Sequence, residues 1–137
     1  VAAYEGELAV SNMFQKAQNR DYSVIPSSVF TTPEVASVGL TEQEAKAFGV
    51  DYEAKTVFYL SVGMAHVLAD TQGFVKVIVD KRKKLILGAS ILGLEAAELV
   101  NLFSVIIKNK ISIPDLKKTV MAHPSLSEIV AEIARAF

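Results

Sequence analysis

The feature that most narrows the folds open to this chain lies near its middle. Over residues 74–80, Val75, Val77 and Val79 alternate with Lys76 and Ile78, the two-residue period of a strand. Lys81, Arg82, Lys83 and Lys84 then form a run of charge suited to a solvated turn. Residues 85–92 return as a second apolar run, so the pattern predicts a β-hairpin with a four- or five-residue loop. Antiparallel pairing is therefore expected at the centre of the fold.

The flanking segments fit the same plan. Val35, Ser37 and Val38 make a short β-favouring run closed by Gly39. Thr41 and Glu44 stand at capping-box spacing, which predicts a short helix over 42–48 stopped by Gly49 in a left-handed cap. Residues 52–60, centred on Thr56, Val57, Phe58 and Tyr59, read as a strand, and 61–71 as a crossover or a short helix. The longest helix is expected over 94–109. Ala96, Leu99, Val100, Phe103 and Ile107 form one apolar face, and Leu102, Val105 and Ile106 widen it around the axis. A helix so broadly apolar should be buried on more than one side, and in so small a domain another subunit could supply the second cover. Pro114 opens a short helix, and the last helix spans 126–137. Upstream, 1–16 has helix-forming composition, Asn19, Arg20 and Asp21 break it, and 22–28, with Pro26, reads as a linker. The predicted class is α+β, a mainly antiparallel sheet with helices packed on it.

Composition bounds the function. At 137 residues with 51% apolar residues, the chain suits one well-filled core. A formal net charge of -1 makes neither nucleic acid nor an anionic membrane an obvious partner. No apolar run reaches the ~18 residues that a membrane span requires, and residues 1–12 lack the basic start of a secretory signal. A cytoplasmic or mitochondrial-matrix location is the expectation. With no cysteine, the chain holds no disulfide, thiolate metal site or thiol nucleophile. No strand–Gly-rich turn–helix unit occurs, so there is no dinucleotide fingerprint. The chain opens on Val1 within helix-like sequence and reads as a piece of a longer polypeptide.

Two histidines are present. His66 lies among Val62, Met64, Val67 and Leu68 with only Asp70 as a nearby carboxylate, and it is assigned no role. His123 precedes Pro124, which steers its backbone to an extended conformation, and Ser125 with Glu128 forms a second capping box. The imidazole should project from a rigid elbow ahead of the last helix. Glu128, about one turn in, is able to reach back to one ring nitrogen, fixing the tautomer and leaving the other as a base. Read by spacing alone, Glu128 serves equally well as helix punctuation only.

The surrounding residues carry a resemblance. His123-Pro124-Ser125-Leu126-Ser127-Glu128 resembles the C-terminal signature of the disulfide oxidoreductase family that includes glutathione reductase and dihydrolipoyl dehydrogenase; Ser125 stands where threonine is usual and keeps its hydroxyl. The run from Phe30-Thr31-Thr32-Pro33-Glu34 to Gly39-Leu40-Thr41-Glu42 is similar to the start of that family's interface domain. Gly73-Phe74-Val75-Lys76, Leu87-Gly88-Ala89-Ser90-Ile91-Leu92-Gly93 and Ala96-Ala97-Glu98-Leu99 match its hairpin and long helix. Pro33-Glu34-Val35-Ala36 and Leu126-Ser127-Glu128 are most similar to the dihydrolipoyl dehydrogenases.

The resemblance implies residues 1–22 as the last helix and linker of a preceding FAD-binding domain, and 23–137 as a dimerisation domain. It implies a homodimer in which His123, oriented by Glu128, is the catalytic base at the partner subunit's redox disulfide. It further implies FAD and NAD as cofactors of the intact enzyme, none held by this piece, which alone should be inactive. The expected partner is a lipoyl-bearing acyltransferase of a 2-oxo acid dehydrogenase complex. A sibling reductase resembling glutathione reductase, or a purely structural dimerisation module, are the alternatives.

Overall fold

In the computed structural model, which describes residues 1–14, 17, 19 and 21–137, the predicted hairpin forms the centre of a five-stranded antiparallel sheet. The strands are β1 (Ser27–Val29), β2 (Val35–Gly39), β3 (Tyr52–Phe58), β4 (Gly73–Asp80) and β5 (Ile86–Gly93), in the order β1-β2-β5-β4-β3. β4 and β5 pair from Gly73 opposite Gly93 to Val79 opposite Ile86, with a register shift at Ile78 and Val79 that bends the ladder near the charged turn.

Alternation decides which side chains meet the core. Val57, Val75, Ile91 and Ala36 lie in one cross-strand row, and Val77, Ala89 and Val38 in the next; all are buried. The helices α4 (Ala96–Lys108) and α6 (Ile129–Ala136) cover this face, α4 over β5 and β2 and α6 over β3. Phe103 from α4, with Ile129 and Ile133 from α6, completes the core at 0–1% exposure. On the opposite face Ile78 is also buried, at 4%. There α2 (Glu42–Ala47) stands over the sheet: its Glu42 pairs with Lys76 and accepts from the Tyr52 hydroxyl at 3.3 Å.

Helix punctuation follows the predicted chemistry. The Thr41 hydroxyl accepts from the Glu44 N–H at 3.2 Å, and Glu44 accepts from the Thr41 N–H at 2.8 Å. Gly49 ends that helix with φ +65°. α5 (Ile113–Leu116) carries Pro114 in its first turn and a further capping box, Ser112 with Asp115. The start of α4 is closed from another element, since Glu34 accepts from the Ala97 N–H at 3.0 Å. Through that bond Glu34, which follows the cis Thr32–Pro33 peptide, ties the β1–β2 connection to the long helix.

Four expectations need revision. The 22–28 stretch is not wholly linker, because Ser27–Val29 is a strand, paired Ser27 to Ser37 and Val29 to Val35. Residues 59–61 leave the β3 ladder as a 3-10 turn, ahead of α3 (Gly63–Val67), the short helix that is one of the two readings for 61–71. On α4, Ile106 points to the core at 6% exposure and Ile107 is only half-buried, the reverse of the predicted faces. The last helix opens with a 3-10 turn, Leu126–Glu128, before α6. The first helix, α1 (Ala2–Phe14), buries no residue; its predicted end at Gln15 and Lys16, like Arg20 of the predicted break, lies outside the described residues.

Candidate functional site

His123 and Glu128 come together where the last helix begins. The polypeptide turns through a cis His123–Pro124 peptide into Ser125, and the Leu126–Glu128 turn points the glutamate back toward the incoming chain. His123 Nδ1 stands 3.0 Å from Glu128 Oε1. The second carboxylate oxygen, Oε2, accepts from the Ser125 N–H at 3.0 Å. Ser125 Oγ in turn donates to the Ala122 carbonyl at 2.7 Å, which fixes the elbow on its other side. One carboxylate therefore both caps a helix and orients a ring, so the two roles left open for Glu128 by its spacing are the same arrangement.

Burial differs between the two groups. The Glu128 side chain is 24% exposed and that of His123 is 76%. The Ser125 N–H, and next the His123 hydrogen bond, hold the Glu128 carboxyl below its ordinary range. An ionised glutamate on Nδ1 requires the proton there, so Nε2 carries the lone pair in the neutral ring. Among the described residues none hydrogen-bonds Nε2, and that edge of the ring faces outward.

The floor beneath the ring comes from a distant part of the sequence. A Cβ placed on Gly63, at the start of α3, would lie 3.9 Å from His123 Cε1. Tyr59 anchors this segment: it is 1% exposed and its hydroxyl donates to the Leu94 carbonyl at 2.9 Å. Burial pushes the Tyr59 phenol well above its ordinary pKa, so it remains a neutral donor. Gly93 makes room for the ring, since a Cβ there would stand 2.8 Å from Tyr59 Cε2 and Cζ. His66 closes the same segment on itself, with Nε2 2.8 Å from the Leu60 carbonyl, and stays apart from the His123–Glu128 pair. None of Gly63, Tyr59 and Gly93 was assigned to the site from sequence; Gly63 reaches residue 123 because α3 and the 59–61 turn pack against the Leu126–Glu128 turn and α6.

The segment from the end of β3 to α3 exposes apolar side chains. Phe58, Leu60 and Val67 are 59%, 63% and 69% exposed. Leu60 and Ser61, with Glu132 and Arg135 of α6, line a cleft of about 540 Å³. Chemically, the arrangement is an exposed, oriented imidazole with one ring nitrogen left unengaged, suited to moving a proton for a group brought from outside the chain. The sheet is antiparallel throughout and the described residues contain no parallel strand–helix–strand crossover. Nor do the described residues hold a group of three or more histidine, aspartate or glutamate side chains able to bind a metal. No helix among them is long and apolar enough to cross a membrane.

Comparison with known proteins agrees in sequence and in shape. Residues 25–134 match the pyridine nucleotide-disulphide oxidoreductase dimerisation domain. Dihydrolipoyl dehydrogenase of Bacillus subtilis is 38% identical over 133 residues, covering 97% of this chain and 28% of that protein. Dihydrolipoyl dehydrogenase of Halobacterium salinarum is also 38% identical, over 97% of this chain and 28% of its own length. Among solved structures, LpdA of Mycobacterium tuberculosis superposes with a TM-score of 0.89 at 26% identity, over 99% of this chain and 30% of that one. The HOCl-induced flavoprotein disulfide reductase RclA of Escherichia coli gives 0.86 at 28% identity, over 94% and 30%. The chain thus spans under a third of the length of these relatives. Its antiparallel sheet, its long helix and the match over 25–134 place it in one family: the chain belongs to the dimerisation domain of the pyridine nucleotide-disulphide oxidoreductases, of the dihydrolipoyl dehydrogenase-like kind.

Proposed function

We propose that this domain serves a dihydrolipoyl dehydrogenase, the flavoenzyme that oxidises dihydrolipoyl groups with NAD⁺, and that it supplies the proton acceptor of that reaction. The observation that carries the reading is the 3.0 Å contact from His123 Nδ1 to Glu128 Oε1 on a ring whose other edge is exposed. FAD and NAD are assigned to the rest of the parent enzyme, and the domain alone is expected to be inactive. What this chain contributes is proton handling. Nε2 takes the proton of a dihydrolipoyl S–H, leaving a thiolate and an imidazolium, and Glu128 stabilises the imidazolium through Nδ1. A thiol of pKa about 8.5 gains reactivity near neutrality from such a base.

An exposed base needs a second wall, and the exposed apolar side chains of Phe58, Leu60 and Val67, on the segment that carries Gly63, suit a surface completed by another subunit. The homodimer is assigned to α4, where Leu102 and Val105 remain 39% and 56% exposed although Leu99, Val100, Phe103 and Ile106 turn to the core. A lipoyl-bearing acyltransferase of a 2-oxo acid dehydrogenase complex would deliver the dithiol, in the cytoplasm or the mitochondrial matrix. The division at about residue 22 between a preceding FAD-binding domain and this one belongs to the same reading.

Turnover by the intact parent protein is the test. Oxidation of dihydrolipoamide with NAD⁺ is expected. Absence of that activity beside reduction of glutathione disulfide with NADPH would instead assign a sibling reductase, and absence of both would leave a dimerisation module.

A further inference from the structure

The chain is nearly neutral overall, yet its charge is unevenly distributed. Six of its fourteen basic residues, Lys81 to Lys84 with Lys108 and Lys110, are gathered at one end. The fold brings them together: the Ile113 N–H donates to the Lys84 carbonyl at 2.8 Å and Leu85 bridges Ser112, which sets α5 and the end of α4 against the hairpin turn. This is the end of the sheet away from His123, whose floor follows the opposite end of β3.

The nearby carboxylates are already committed. Asp51 pairs with Lys81 at 3.3 Å and Asp21 with Lys108 at 2.6 Å. Asp80 Oδ1 accepts from the N–H groups of Arg82 and Lys83, both at 2.8 Å, and Asp115 is engaged by Ser112. Asp80, which lines the same cleft, feels the Lys83 charge, yet among the described residues Lys83 and Lys110 form no direct ion pair. Both stand on the rim of a cleft of about 400 Å³ whose floor includes Leu40, Leu85, Leu87 and Ile107, all half-buried. The Lys108–Asp21 pair forms part of its wall.

We propose that this cleft docks an acidic polypeptide segment, one that seats an aliphatic side chain on the leucine–isoleucine floor between carboxylates held by Lys83 and Lys110. Charge complementarity selects the sign of the partner. The aliphatic floor selects its class, because the lining has no aromatic side chain on which a nucleic-acid base would stack. A recess with lysines on its rim fits a narrow convex segment and is poorly shaped for a membrane plane. The site is independent of the His123–Glu128 chemistry and survives failure of the functional reading above.

The experiment uses a short fluorescent peptide alternating glutamate and leucine, titrated with the protein at low salt and followed by anisotropy. Saturable binding is expected, weakened about tenfold in the Lys83→Glu, Lys110→Glu double variant and weakened again as added salt shortens the screening length. Replacing the glutamates of the peptide by lysines should restore binding to the double variant, which separates lost complementarity from lost folding. No saturable binding, equal binding by the double variant, failure of the lysine peptide to rescue it, or tighter binding of a thymidine oligonucleotide would each overturn the proposal.

Discussion

Gly93→Ala tests the support beneath the site without touching the site. The substitution meets two obstacles that can be separated. The first is conformational: Gly93 has φ +148°, where L side chains are rarely found, and holding one there costs about 1–3 kcal/mol. The second is a collision. The new Cβ would stand 2.8 Å from two atoms of the Tyr59 ring and 3.2 Å from the Gln72 carbonyl. That ring is 1% exposed and its hydroxyl is tied to the Leu94 carbonyl, so it cannot swing away without giving up its bond. Overpacking of this kind adds about 1–3 kcal/mol. The expected loss is therefore roughly 2–6 kcal/mol, read as a fall in the urea midpoint at unchanged slope. Gly49→Ala is the control: it shares a positive φ, +65°, but nothing lies within 4 Å of its new Cβ. It should cost only about 1 kcal/mol. Equal losses in the two variants would refute the collision, and a loss below about 0.5 kcal/mol at Gly93 would refute both terms.

Other expectations bear on the core, the caps, the interface and pH. Phe103→Ala, which empties a fully buried position of α4, should lower stability by about 3–5 kcal/mol in denaturant titration. Ser112→Ala removes one half of the α5 capping box and should cost about 1 kcal/mol in the same assay. If α4 carries the self-association, the chain sediments as a dimer and Val105→Glu sediments as a monomer; a wild-type monomer at high concentration would contradict this. The carboxyls of Glu44, Asp80, Asp115 and Glu128 are all held below their ordinary values by backbone or hydroxyl donors. A depressed carboxyl contributes stability above its unfolded pKa and loses it as pH falls through the folded one, so urea midpoints should decline below the unfolded values of 4.5 for glutamate and 3.8 for aspartate. A midpoint that rises on acidification would reverse that sign.

The parts of the fold that were legible in the sequence are those decided locally. Val75, Val77 and Val79 fix a strand by alternation, and Thr41 with Glu44 fixes a helix start by two reciprocal bonds. Ser27–Val29 escaped notice because two serines have no strand preference of their own; β2 makes them a strand by pairing. On α4, Ile106 and Ile107 are equally apolar, and only the lie of the helix over β5 and β2 selects which is buried. The same division runs through the site. His123 and Glu128 are five residues apart and their contact is foreseeable from a capping box. Gly63, sixty residues earlier, reaches the ring only through the tertiary packing of α3 against the Leu126–Glu128 turn, and no local pattern marks it.

The central claim, that this domain furnishes a base to a dithiol-oxidising flavoenzyme, is tested most directly by His123→Gln in the intact parent protein. Reduction of the enzyme by dihydrolipoamide should slow by about 10²–10⁴, the usual worth of general acid–base catalysis, with bound flavin and dimer content unchanged. Unchanged dithiol oxidation, or a loss matched by equal loss of flavin, would contradict the claim and leave His123 a structural residue.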